Sequence, residues 1–179
     1  GFTVNMAGAA FNVGTSSTVR GSIFTITDLN LIHWQSGTNS GDSGTGNADG
    51  VIDSRSATGG YGYWYFNINN VTLEGRDGVS GTDTSYQPRR LLDAEDSHVT
   101  LSGKVIANVK QELMQIGEVA IANGAHVELN RTAGTTGYSM FYYMAIRGNN
   151  ASDTGFNHTF KVGDGATIIG NELSTYNSN

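Results

Sequence analysis

Three groups of side chains have the types and spacing for chemistry. The first is Asn47-Ala48-Asp49-Gly50-Val51-Ile52-Asp53. Alternating side-chain oxygens, a glycine for a sharp turn and an aliphatic anchor are what a calcium loop supplies. With Gly50 at the turn, the first ligand position falls on Thr45 and the last on Ser56, so the bidentate glutamate of such loops is missing. Asp42 is the substitute from outside that register. Asp42, Asn47, Asp49 and Asp53 are therefore the candidate calcium ligands, set against a solvated polar loop with an Asp-Gly turn.

The second group is Tyr61-Gly62-Tyr63-Trp64-Tyr65-Phe66. In a strand, alternate side chains point to opposite faces. If Trp64 goes inward with Phe66 and Ile68, then Tyr61, Tyr63 and Tyr65 face out. Outward tyrosines combine apolar area with hydroxyls and form a platform for sugar rings. The competing reading has the preceding polar segment fold over them. Phe141, Tyr142, Tyr143 and Trp34 extend the platform idea. The third group is Arg89-Arg90, either a clamp for an acidic sugar or a solvated pair on a rim.

Catalytic pairs are harder to find. Glycoside cleavage needs two carboxylates at a set separation. The acids here sit mostly at turns, and Glu74, Glu118 and Glu128 stand singly on strands. No nucleophile elbow, phosphate loop or zinc spacing occurs. No catalytic residue is assigned.

The elements that must carry these residues are strands. The chain has 179 residues with 25 Gly, one Pro and no Cys, and only 15% are charged. This is a strand-and-turn composition for one domain spanning 1–179. The absence of cysteine excludes a disulfide scaffold. A net charge of −6 argues against nucleic acid as a partner. No apolar run has a membrane-spanning length, so membrane insertion is not expected. Gly1 in place of a start Met, with strand pattern from Phe2, points to a fragment of a longer chain.

The strands repeat. Val71-Thr72-Leu73, Val99-Thr100-Leu101 and Val127-Glu128-Leu129 recur at 28-residue intervals. Phe24 and Ile26 are followed by Leu29 and Leu31, a switch of apolar parity that requires a corner at Thr27-Asp28. The same device returns 42 residues later at Phe66, Ile68, Asn69-Asn70, Val71 and Leu73. It recurs at Asn123-Gly124 and at Gly163-Asp164-Gly165. Strand, corner, strand, repeated, predicts a parallel coil of chain with turns of about 28 residues stacked at the usual strand spacing. Its long polar loops, 36–60 and 76–88, lie outside the stack. Only 109–114 has helix-compatible residues, too few to stand alone, and it reads as a connection between rungs. His98 and His126, also 28 apart, should then stack.

Trp64, Phe66, Asn70, Val71, Thr72 and Gly75, with the preceding Phe24–Leu31 strand and the later Asn123-Gly124-Ala125 and Gly163-Asp164-Gly165-Ala166-Thr167 rungs, carry a resemblance. From about Phe2 to Asn171 the chain resembles the pectate-lyase-like adhesive domain of Gram-positive cell-surface proteins. That resemblance implies an all-β, right-handed parallel β-helix, exported and displayed on a cell wall as part of a large adhesin. It implies binding to a glycan, mucus or matrix component without known catalysis. The Asn-Thr-Asp, Asp-Asp, Gly-His-Gly and Arg-Ile-Lys blocks of the related lyases and hydrolases are absent. Two other classes stay open: a polysaccharide lyase or hydrolase acting on an acidic polysaccharide, and a structural stalk.

Overall fold

The computed structural model describes residues 1–7, 9–13, 20–33, 50–54, 63–75, 88–109, 112–132, 140–142 and 159–173. Within them every regular element is a strand: β1 (Phe2–Ala7), β2 (Phe11–Asn12), β3 (Arg20–His33), β4 (Gly50–Asp53), β5 (Tyr63–Glu74), β6 (Arg90–Val109), β7 (Met114–Ile121), β8 (His126–Thr132), β9 (Phe141–Tyr142), β10 (Phe160–Val162) and β11 (Thr167–Leu173). Every ladder among them is parallel. They form one sheet, curled into a half-barrel.

The curl divides the sheet into three panels. The first stacks β2, β4, the start of β6, the start of β7, and β9. The second stacks the first half of β3, the first half of β5, the middle of β6, the end of β7, and β10. The third stacks β1, the ends of β3, β5 and β6, then β8 and β11. One apolar cluster joins all three, with Leu92, Met114, Phe66, Leu101, Leu73 and Val105 fully buried in it.

The bend between the second and third panels is a left-handed residue in each rung. Asp28 has φ 56° and Asn70 φ 51°, followed by Gly103 at 60°, Gly124 at 66° and Gly165 at 69°. Asn, Asp and Gly are the residues that tolerate this region. At Asp28 and Asn70 the inserted residue shifts the side-chain parity, so apolar residues face inward on both sides of the bend. The expected pairing holds: Phe24 lies opposite Phe66, Ile26 opposite Ile68, Leu29 opposite Val71 and Leu31 opposite Leu73. Gly103 is a further bend, inside the stretch that read as a plain repeat.

The 28-residue turn is corrected. Phe66 pairs with Val99 and Val71 with Val105. Val99 then pairs with Val119, and Val105 with Val127. Val99 and Val127 lie on opposite sides of the bend, so their spacing mixes one turn with a crossing of the corner. The true interval varies from the 20 residues between His98 and Glu118 to the 43 between Arg20 and Tyr63. His98 and His126 consequently do not stack. His98 lies opposite Tyr65 and Glu118, while His126 lies opposite Lys104 and Thr167.

The segment 36–60 was also expected wholly outside the stack. Its residues 50–53 are instead β4, buried throughout and paired between β2 and β6. Val51 and Ile52 supply the apolar pair that makes a rung, and both are fully buried.

Candidate functional site

The second panel turns one column of side chains outward. In the rungs of β3, β5, β6 and β7 it comprises the residue just before an inward apolar position. Ile23 precedes Phe24, Tyr65 precedes Phe66, His98 precedes Val99 and Glu118 precedes Val119, and these four are in register. Ile23 is 68% exposed and Tyr65 40% exposed. Their inward neighbours hold the strands in place: Phe24 and Phe66 meet edge to face at 5.9 Å, and Trp64 packs on Phe66 at 6.2 Å. Trp64 is half-buried, and its backbone N–H donates to Ser97 Oγ at 3.1 Å.

Tyr63 lies two residues before Tyr65, on the same outward side. The Tyr63 hydroxyl donates to the Tyr65 hydroxyl at 3.1 Å. Their rings meet at 86° with centroids 5.2 Å apart. Partial burial, then the bond to Tyr65, then the charges near it push the Tyr63 phenol well above its ordinary value. It therefore stays protonated and serves as donor and acceptor rather than as a base. On the next rung the His98 ring lies 5.6 Å from the Tyr65 ring. On the rung after that, Glu118 Oε2 sits 2.9 Å from His98 Nδ1. Tyrosine pair, imidazole and carboxylate thus form one continuous strip.

Beside the strip runs a set of short polar side chains. Asn67 Nδ2 donates to Thr25 Oγ1 at 3.4 Å, and Asn69 Nδ2 donates to Thr27 Oγ1 at 3.2 Å. Thr100 and Ser102 continue these columns on the next rung.

Among the sequence candidates, Tyr63 and Tyr65 are brought together. Tyr61, Asp42, Asn47 and Asp49 lie outside the described residues, as do Trp34 and Tyr143. Asp53 is in strand β4, 5% exposed, in register between Asn12 and Asp93. Among the described residues no three His, Cys, Asp or Glu side chains gather as a metal site. Arg90 is a correction. It is 1% exposed and not on a rim: Nη1 bridges to Asp93 Oδ2 at 3.1 Å and Nη2 to Glu112 Oε1 at 2.6 Å. A guanidinium buried with two carboxylates is not available to a sugar at the surface. Arg89 is half-buried. Phe141 also leaves the platform, since it packs on the core and meets Phe160 at 5.3 Å.

His98 and Glu118 did not emerge as site residues from the sequence. The signal was present as their shared place, one residue before Val99 and Val119, but reading it needs a 20-residue interval. A second outward cluster lies on the third panel. His126 Nε2 is 3.0 Å from Glu128 Oε2, and Asn171 Nδ2 donates to Asn130 Oδ1 at 2.9 Å. The bond from His126, then that from Asn130, holds the Glu128 carboxyl below its ordinary value.

Against family models, curated proteins and solved structures, the chain has no match.

Proposed function

We propose that the chain is a right-handed parallel β-helix of the pectate-lyase-like adhesive kind, serving as a non-catalytic binding module of a secreted, wall-attached bacterial surface protein. Its ligand is a glycan, or a glycan-bearing mucus or matrix component, held on the outward face of the second panel. The observation that carries this reading is the Tyr63–Tyr65 pair, set outward beside His98 and flanked by Asn and Thr side chains. Tyrosines offer apolar area and hydroxyls together, at little cost in side-chain freedom. Glu118 is the one carboxylate among the described outward positions of this panel's strands, and it is tied to His98. Two converging acids are what glycoside cleavage requires.

The His98–Glu118 pair favours one other reading, a lyase or hydrolase in which the imidazole handles a proton. The two separate in one experiment. The chain is passed over immobilised pectin, mucin-type glycans and matrix proteins, and both retention and new unsaturated or reducing ends are scored. Retention without cleavage is the expected result, weakened in Tyr65→Ala. Cleavage would make the protein an enzyme. Passage through the whole panel without retention would leave a stalk.

A further inference from the structure

We propose that His98 is a ligand-contacting residue, held by Glu118 so that its Nε2 accepts a hydrogen bond from a ligand hydroxyl beside Tyr65. This rests on the binding reading above and names what its ligand must carry: a free hydroxyl next to a ring face. Glu118 Oε2 lies 2.9 Å from His98 Nδ1, between strands paired in register. An ionised carboxylate can only accept, so the proton between them belongs to Nδ1. The neutral imidazole then keeps its lone pair on Nε2. Among the described residues, no other side-chain hydrogen bond engages the His98 ring. The two ring nitrogens point in different directions, so Nε2 is directed away from Glu118. The His98 side chain is 23% exposed and its ring lies 5.6 Å from that of Tyr65.

His126 supplies a contrast. It meets Glu128, two residues along its own strand, through Nε2 at 3.0 Å. The same chemistry there puts the proton on Nε2 and the lone pair on Nδ1. The two imidazoles differ because the carboxylate of His98 stands on the next rung, whereas that of His126 stands on its own strand. Which nitrogen faces a partner is set by the bond the other one makes. Glu118 is thus a positioning residue that acts through His98. An acceptor beside a tyrosine ring suits a sugar that stacks on the ring and donates a hydroxyl. An ether or ester oxygen in that place has no proton to give and leaves the Nε2 lone pair unmatched.

Nitrogen-15 NMR of the full chain tests the tautomer without a ligand, at about pH 8, where an ordinary imidazole is neutral. Signals are assigned by their loss in His98→Phe and His126→Phe. The expected result is a bare Nε2 in His98 and a bare Nδ1 in His126. Glu118→Gln, whose amide can either accept or donate, should turn His98 into a mixture and leave His126 unchanged. Binding is read by affinity electrophoresis in gels carrying β-glucan, pectin or mucin, each native and O-methylated. Retardation by at least one native polymer is expected, weakened about fivefold by a folded His98→Phe. Methylation of that polymer should weaken retardation of the wild type and leave that of His98→Phe nearly unchanged. The wild-type spectrum and the methylated gels require no substitution, so they decide the matter even where a variant unfolds. Protonated Nε2 in His98, or a His98 spectrum untouched by Glu118→Gln, would overturn the inference and leave the binding reading standing. Equal retardation by native and methylated polymer, or of wild type and folded His98→Phe, would do the same. No retention on any glycan or matrix protein would remove both.

Discussion

Arg90 spans two rungs with one planar fork, holding Asp93 on its own strand and Glu112 just before the next. All three side chains are sealed from solvent. The net worth of such a buried group is small against an apolar replacement of the whole cluster, but removing only the cation strands two carboxylates in the interior. Arg90→Ala is expected to cost about 3–5 kcal/mol. A drop in the urea midpoint at unchanged slope would report it. Arg90→Lys should recover only part, because a point charge cannot bridge both acids with the same geometry. A shift within error of wild type for the alanine variant would mean that the cluster is not the sealed site described. None of this was legible from Pro88-Arg89-Arg90, which looks like a rim. The partner Glu112 comes within reach only because Leu91 and Leu113 are bonded across rungs. Glu128 gives a pH-dependent counterpart on the surface. Its carboxyl is lowered from an ordinary 4.5 by the bonds from His126 and Asn130. Its contribution is therefore full above that value and lost as pH falls through the lowered one. Glu128→Gln should destabilise by roughly 0.5 kcal/mol near neutral pH. The difference should close in melts taken well below pH 4.5. A gap that persists in acid would place its origin outside the ionised form.

At the scale of elements, the bends decide the fold. Asn70 Nδ2 donates to Asp28 Oδ1 at 2.9 Å, and Asn70 Oδ1 accepts from the Lys104 N–H at 3.0 Å. A side-chain spine thus runs up the corner where backbone ladders are interrupted. Gly103 sits under it. A Cβ there would run into the side-chain oxygens of Asn69 and Asn70, whereas a Cβ at Gly124 meets nothing. The two glycines have nearly the same φ, 60° and 66°. Alanine at either site suffers the left-handed backbone penalty of about 1–2 kcal/mol. Only Gly103→Ala also breaks the spine, so it should be the more destabilising by about 1 kcal/mol or more. Equal melting shifts for the two variants would show that the spine contributes nothing. The bends at Asp28 and Asn70 were legible because apolar parity flips across them. The one at Gly103 was hidden: Val99, Leu101, Val105 and Ala107 keep one parity through a two-residue insertion. The same insertion made V-x-L motifs on different panels look like one repeat. Rung length was misjudged for the matching reason, because the excursions between rungs differ and carry no periodic signal.

Over the whole molecule, apolar burial depends on neighbours above and below. Phe2, Leu29, Val71, Val105, Val127 and Ile168 form one inward column, through successive register pairs. Val71, Val105 and Val127 are fully buried, yet Phe2 is 81% exposed and Ile168 37% exposed. In the second panel, Phe160 and Val162 of β10 are 43% and 48% exposed, while their partners Val119 and Ile121 are 1% and 3% exposed. Burial of an inward side chain therefore grows with the rungs stacked around it: Leu29, next to the terminal β1, is partly buried, and Val71, Val105 and Val127 further in are fully buried. Stacked architectures of this kind derive their stability from each unit and its nearest neighbours. End rungs, with one neighbour, should open locally at lower free energy than central ones. Amide hydrogen exchange on the intact chain resolves this. Amides of β10 and β11 are expected to exchange first. Those of β5 and the 98–109 half of β6, where Phe66, Leu73, Leu101 and Val105 are wholly buried, should exchange last and track global unfolding. Gly103→Ala should speed exchange in the centre and leave the β11 amides nearly unchanged, since those already open by the local route. Uniform protection from β1 to β11, lost everywhere at once in the variant, would instead mean a single cooperative core in which position along the stack has no energetic meaning.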